Sequence, residues 1–317
     1  MSNGPGTGPD GDDRPWVDRD PFRPERASAQ RPGAFQRYRM FFIMIAAFVV
    51  IAVVKGAFNK VDTHGAEHSR FVVFSDVLAQ KPGGPRLVPA AAVIPAGGGE
   101  GRPLVLLLAG RDQDPTMFFD KNFYASLFQL GLDAPDVVVL GLDRDSYAHD
   151  RADGKWGTFV LEEGVKGALK QTGADPKRVA IGGFGTGGFG ALDLALQAPQ
   201  RFCAVGAHSP AVYKSFGFAP PGAFDDASDF ARHDVLGAAK QGAYPDAGPM
   251  RLDAGIDDPQ RAMVLELAQA LRKAGRTVEL HADLPGHDSP ALWQRQSGNL
   301  LRFYAAALKS CTGRSAA

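Results

Sequence analysis

The chain has 317 residues, and its 35 Lys and Arg balance its 35 Asp and Glu, so the formal net charge is zero. That balance argues against a nucleic-acid binder, which carries a basic excess. The two cysteines, Cys203 and Cys311, lie far apart without C-x-x-C spacing, which argues against a zinc finger or thioredoxin-type motif. They leave either two buried thiols or one disulfide in an oxidising compartment.

Residues 1–36 are rich in Gly, Pro, Asp and Arg, with few apolar residues and no period. Such a segment cannot offset its ordering entropy by burial, so it reads as a disordered tail. Met40 to Val54 is then an unbroken apolar run. As a helix it covers about 22 Å, short of a hydrocarbon core of about 30 Å. Lys55 can snorkel, and Gly56, Ala57 and Phe58 extend the stretch. Residues 37–58 therefore read as a single transmembrane anchor. The rivals are a cleaved signal peptide, whose n-region would be too long, and a buried helix. Arg23, Arg26, Arg31, Arg37 and Arg39 precede the run, while only Lys55 and Lys60 follow closely. The positive-inside rule then puts the N-terminus in the cytoplasm and the C-terminal domain outside. Residues 59–68 read as a polar spacer, with His64 and His68 solvated rather than metal-binding.

A folded domain is expected over 69–312, with a tail at 313–317. "FVVFSDVL" and "RLVPAAAVIP" predict strands at the start of a sheet, and "PLVLLLAG" predicts a buried parallel strand ending in Gly110. The next segment predicts a helix with Asp114 as cap, Pro115 at its first position and Gly131 near its stop. "DVVVLGL" is a strand, "GTFVLEEGVKGALKQTG" a helix, "RVAIGGF" a strand and "GFGALDLALQAP" a helix. "FCAVGAHSP" follows as a strand, then a long irregular excursion from Ala211 to Gly248. "MRLDAG", "PQRAMVLELAQALRKAG", "TVELHADLPG" and "SPALWQRQSGNLLRFYAAALKS" complete the alternation as strand, helix, strand and helix. Strands alternating with helices imply a mostly parallel central sheet with helices on both faces.

"GGFGTGGFGAL", Gly182 to Leu192, carries the functional question. A nucleophile elbow is G-x-S-x-G between a strand and a helix, on strained backbone. Gly183 and Gly187 supply the small flanking residues, but Gly185 stands where the nucleophile belongs. A second reading is a dinucleotide fingerprint, since Gly183, Gly185 and Gly188 spell G-x-G-x-x-G. That motif wants an acid at the end of the next strand, where the sequence has His208 and Ser209. A third reading moves the nucleophile to Thr186, which would put Phe184 at a position that needs a small residue. A β-branched residue also tolerates positive φ poorly.

"IGGFGTGGFGALDLAL" resembles the G-x-S-M-G-G-x-G-A-L elbow of the α/β-hydrolase esterase family that includes esterase D and the mycolyltransferases. The resemblance extends over most of Phe71–Cys311 and implies an α/β-hydrolase sandwich. "LDAGIDDP" resembles the turn carrying the family's acid, which falls on Asp258, with Asp257 as near-equal rival. "LPGHDSPALW" resembles the histidine loop and places the family's histidine at His287. The order nucleophile, acid, histidine fits the fold. The family's oxyanion loop carries a His-Gly pair, whereas this chain reads "LAGRDQDP". By the same analogy Gly110, Arg111 and Thr186 fall near the oxyanion position, and His149 and Trp156 near the cleft.

A serine hydrolase needs an oxygen nucleophile, a histidine base and an acid to orient it. With Gly185 vacant, the expectation is a catalytically impaired relative that binds an acyl ester, lipid or glycan ligand, or a protein partner. The alternative is an active carboxylic-ester hydrolase or acyltransferase of the cell envelope, using His287 and Asp258 with water or Thr186. No cofactor, metal ligand set or nucleic-acid partner is expected.

Overall fold

Alternating apolar runs and amphipathic segments assemble around one sheet. The computed structural model describes residues 61–78, 86–98, 100–143, 145–244 and 248–311. The expected tail at 1–36, the anchor at 37–58 and the 313–317 tail lie outside the described residues. No helix of the described residues is long and apolar enough to cross a membrane.

The strands are β1 (Glu67–Ser75), β2 (Arg86–Ile94), β3 (Leu104–Leu108), β4 (Asp136–Leu140), the hairpin pair β5 (Asp150–Arg151) and β6 (Gly154–Lys155), β7 (Val179–Phe184), β8 (Val205–His208), β9 (Met250–Gly255) and β10 (Val278–Leu284). All except the hairpin form an eight-stranded sheet in the order β1-β2-β4-β3-β7-β8-β9-β10. β1 and β2 pair antiparallel, β2 meets β4 antiparallel, and every junction from β4 to β10 is parallel. The continuous burial of β3, β4, β7, β8 and β9 is what a parallel sheet covered on both faces requires.

The helices are α1 (Lys121–Gln129), α2 (a continuous helix over 156–172 with a π-helical turn at Phe159–Gly164), α3 (Thr186–Gln197), α4 (Ala227–Arg232), α5 (Val235–Lys240), α6 (Arg261–Lys273) and α7 (Pro290–Ser310). Phe159, Val165, Phe189, Leu192, Val264 and Leu267 pack in one core layer, placing α2, α3 and α6 on one face of the sheet. Phe123, Leu127, Leu292, Trp293 and Leu301 form the other layer, under α1 and α7.

Three local expectations change. The first long helix does not start at Asp114. Asp114 Oδ1 instead accepts from the Thr116 N–H (2.8 Å) and hydroxyl (2.6 Å), and Asp114 pairs with Arg70, which ties 114–116 into a turn. Asp120 caps α1 by accepting from the Phe123 N–H at 2.9 Å. The excursion at 211–248 is partly regular, because it holds α4 and α5, each capped by an aspartate, Asp226 and Asp234. The segment read as spacer enters the fold: β1 begins at Glu67 and includes His68, and the His64 ring stacks on Phe128 at 5.1 Å.

Cys203 and Cys311 are joined in a disulfide, resolving the two alternatives left by their spacing. It ties the chain just before β8 to the end of α7.

Candidate active site

The turn between β7 and α3 has the backbone of an elbow. Gly185 adopts φ 54° and ψ −116°, a conformation that glycine reaches without Cβ strain. Its N–H donates to the His208 carbonyl at 2.9 Å, and its own carbonyl accepts from the N–H groups of Phe189 and Ala211. The flanking glycines are steric necessities. A Cβ at Gly183 would lie 2.3 Å from the Gly187 carbonyl oxygen, and one at Gly187 would lie 2.2 Å from that of Leu108. Strand and helix backbones therefore nearly touch, as the sequence pattern anticipates.

The side chain that meets position 185 is Asp288. A Cβ at Gly185 would sit 3.3 Å from Asp288 Oδ2. Trp293 holds the acid from the other side, donating from Nε1 to Asp288 Oδ1 at 2.6 Å. The indole packs in turn on Phe184, with ring centroids 5.4 Å apart, and Phe184 stacks on Phe118 at 4.0 Å. The acid is thus fixed by an aromatic stack built on the elbow itself. Burial pushes its carboxyl up to about 6; the Trp293 hydrogen bond opposes this, the Asp258 charge reinforces it and His287 opposes it.

Asp258 and His287 take different surroundings. Asp258, just after β9, is buried; its Oδ1 accepts from the Gln260 N–H at 2.8 Å, and Oδ2 has no partner among the described residues. Its rival Asp257 is exposed. Asp258 thus faces its like charge, Asp288. His287 is exposed and makes no hydrogen bond among the described residues. Gly286, at φ 98°, turns the chain, and Ser289 caps α7 with Pro290 in its first turn. That geometry puts Asp288, not its neighbour, over the elbow.

On the opposite side, the Gly110 N–H donates to Gln113 Oε1 at 2.7 Å, so the side chain of the altered loop already occupies this backbone donor. The Arg111 guanidinium is drawn to Asp145. Thr186 is the half-buried first residue of α3. His149 and Trp156 are buried. Trp156 packs against Phe159 beneath the Arg86 guanidinium, and His149 lies against Asp229, His233 and Phe224.

Beneath the elbow lies a polar chain that sequence reasoning missed. His208 Nδ1 lies 2.6 Å from Asp253 Oδ2, and its Nε2 lies 3.0 Å from the Tyr304 hydroxyl. Arg251 Nη2 donates to Asp253 Oδ1 at 2.8 Å. All four residues are buried, and burial holds the His208 imidazole below its ordinary value despite Asp253. Gly182 and Gly206 make room for it, since a Cβ at either would lie 1.9 Å from the Tyr304 hydroxyl. Through Arg251 the network reaches the exposed Glu279 of β10, and it pins β8, β9 and α7 together.

Strand order, elbow and flanking glycines define an α/β-hydrolase fold. The Esterase family model matches residues 94–296, and the chain belongs to that family. Among solved structures, a ferulic acid esterase is 18% identical with a TM-score of 0.65, covering 76% of this chain and 98% of its own. An S-formylglutathione hydrolase from Agrobacterium tumefaciens is 21% identical with a TM-score of 0.61, covering 77% of this chain and 96% of its own. MPT51 from Mycobacterium tuberculosis is 19% identical with a TM-score of 0.57, covering 76% of this chain and 99% of its own. No curated protein matches the sequence significantly.

Proposed function

We propose that this esterase-family protein has lost serine-type acyl transfer and uses the inherited cleft to bind an acyl ester, lipid or glycan ligand, or a protein partner. The observation that carries the reading is the pairing of a glycine at the elbow with the Asp288 carboxylate against it. An oxygen nucleophile is missing, and an acid stands where an imidazole would take the proton. The occupied Gly110 N–H removes one donor that could stabilise an oxyanion. The proposal includes an anchor at 37–58 with the hydrolase-like domain outside the membrane. The Cys203–Cys311 disulfide supports this orientation, because such bonds persist in oxidising compartments.

The test is turnover of p-nitrophenyl esters together with labelling by a fluorophosphonate probe. The reading expects no covalent label and at most the roughly 10³- to 10⁴-fold acceleration over water that binding and residual polarity supply. Enzyme-level turnover would overturn it.

One observation favours a second reading. A carboxyl held at about 6 beside the vacant position has the proton affinity of a general base, and could activate water there. Turnover by that route rises with pH through about 6 and disappears in Asp288→Asn. Turnover lost instead in His287→Ala or Thr186→Ala would assign it to those residues.

A further inference from the structure

Away from the elbow, three elements bring two imidazoles and two carboxylates together. His149 comes from the loop after β4, where Tyr147 and Ala148 both hold positive φ (48° and 55°). Asp193 lies on the second half of α3. Asp229 and His233 lie on and just after α4, in the segment the sequence left irregular. His149, Asp193, Asp229 and His233 are all buried. His149 Nε2 lies 3.2 Å from Asp229 Oδ2, and His233 Nε2 lies 3.7 Å from Asp229 Oδ1. One donor atom each from His149, Asp229 and His233 fall within 4.8 Å of one another.

We propose that His149, Asp229 and His233 supply three ligands of a zinc site that clasps α4 to the loop after β4, with water in the fourth position. Two features carry it. A tetrahedral ion with ligand bonds of about 2.0–2.2 Å separates its ligand atoms by roughly 3.3–3.6 Å. The separations of 3.2 and 3.7 Å run to the two different oxygens of Asp229, so a turn of that carboxylate brings one oxygen to both nitrogens. Next, His233 turns Nδ1 onto Asp193, 3.0 Å away, which leaves Nε2 toward Asp229. A carboxylate behind a histidine in this way fixes the tautomer and orients a metal-binding nitrogen. The set of imidazoles and a carboxylate suits zinc better than the harder calcium or magnesium ions.

The rival arrangement is a hydrogen-bonded cluster in which protons hold the same groups. His149 Nδ1, buried without a partner among the described residues, is an unsatisfied atom in either arrangement and does not decide between them.

The deciding experiment uses the full-length protein in detergent, stripped with chelator and titrated with Zn²⁺. Expected are one tightly bound ion per chain by calorimetry and elemental analysis, a melting temperature that rises with Zn²⁺, and tetrahedral-type visible absorption with Co²⁺. His233→Ala and His149→Ala abolish the tight site. Asp193→Asn, which keeps all three ligands, loses about 10- to 100-fold in affinity. His281→Ala and His287→Ala, at histidines away from the cluster, leave binding unchanged. Absence of stoichiometric binding in the wild-type protein would overturn the proposal. So would binding that persists in His149→Ala and His233→Ala shown to be folded by circular dichroism. Where an alanine variant fails to fold, Asp193→Asn and the Co²⁺ spectrum of the wild-type protein decide. The readouts do not depend on ester turnover, so the zinc site stands or falls apart from the proposed function.

Discussion

Gly185→Ser places a hydroxyl at the elbow, and the structure predicts what that achieves. A side chain at φ 54°, ψ −116° adds strain of about 1–3 kcal/mol. For a domain of this size each kcal/mol shifts the melting temperature by about 2–4 °C, so the variant should melt roughly 2–12 °C lower. Its new Oγ extends from a Cβ 3.3 Å from Asp288 Oδ2, so the group it meets is a carboxylate. In Ser-His-Asp hydrolases, loss of the histidine costs about 10⁶ in kcat even with the serine present. Gly185→Ser alone should therefore remain near background on p-nitrophenyl butyrate. Gly185→Ser combined with Asp288→His should recover part of the loss. The new imidazole would face residue 185, and Asp258, now a repelling neighbour of Asp288, would become its attracting acid. The assay is kcat/KM for each variant, with fluorophosphonate labelling of residue 185 as an independent readout. A single variant as active as the double would refute the assignment of Asp288 as the group over the elbow. Activity in Gly185→Ser that vanishes on adding His287→Ala would refute it equally.

The disulfide closes a sequence separation of 108 residues, and chain-entropy arguments give about 4–5 kcal/mol for such a loop. Cys311→Ser should melt roughly 8–20 °C lower, and an unchanged melting curve would refute a stabilising role. Asp136, at the start of β4, is buried with neither carboxylate oxygen hydrogen-bonded among the described residues, and burial pushes it up to about 6 against the pull of Arg102. Because its folded value lies above the ordinary 3.8, the native state holds this proton more tightly, and stability falls as pH rises from about 4 through 6. Asp136→Asn should therefore raise the melting temperature at pH 8, by up to about 2–3 kcal/mol of stability, with no gain at pH 4; equal effects at both pH values would contradict the charge argument. Gly206→Ala should be severely destabilising, because its methyl carbon would lie 1.9 Å from the Tyr304 hydroxyl, and Tyr304→Phe should rescue part of the loss. Thermal melts of the single and double variants measure that coupling, and additive losses would count against the contact.

The fold was largely legible because its signals are local. Leu104–Leu108 and Asp136–Leu140 are continuous apolar runs, and buried parallel strands have no other way to read. The elbow was legible too, since Gly183 and Gly187 answer a backbone collision that no side chain survives. Position 288 was not. His287 and Asp288 are adjacent, and a turn at Gly286 followed by a cap at Ser289 decides which of them points at the elbow. A one-residue choice of this kind depends on three-dimensional path, not on composition. The same limit hid the His208–Asp253–Tyr304 chain and the His149–Asp229–His233 cluster. Apart from Asp229 and His233, four residues apart, their members are separated by tens of residues, and each looks ordinary where it stands in the chain.

The departures at the site point in one direction. Glycine at 185 offers no side-chain oxygen, and it takes φ 54° and ψ −116° without Cβ strain. That alone would leave base and oxyanion donors waiting. Here an acid covers the vacant position, its neighbour Asp258 opposes its charge instead of orienting an imidazole, and Gln113 fills the Gly110 donor. Around these groups stand the touching backbones at Gly183 and Gly187, the Phe118–Phe184–Trp293 stack and the buried His208 network. The proposed binding role puts the ligand at the elbow, against Asp288 and the Trp293 that holds it. The same logic sets the binding experiment: a ligand that protects the protein from thermal unfolding should lose that protection when the Trp293 clamp on Asp288 is removed by Trp293→Phe. Protection that survives this substitution unchanged would move the ligand away from the elbow.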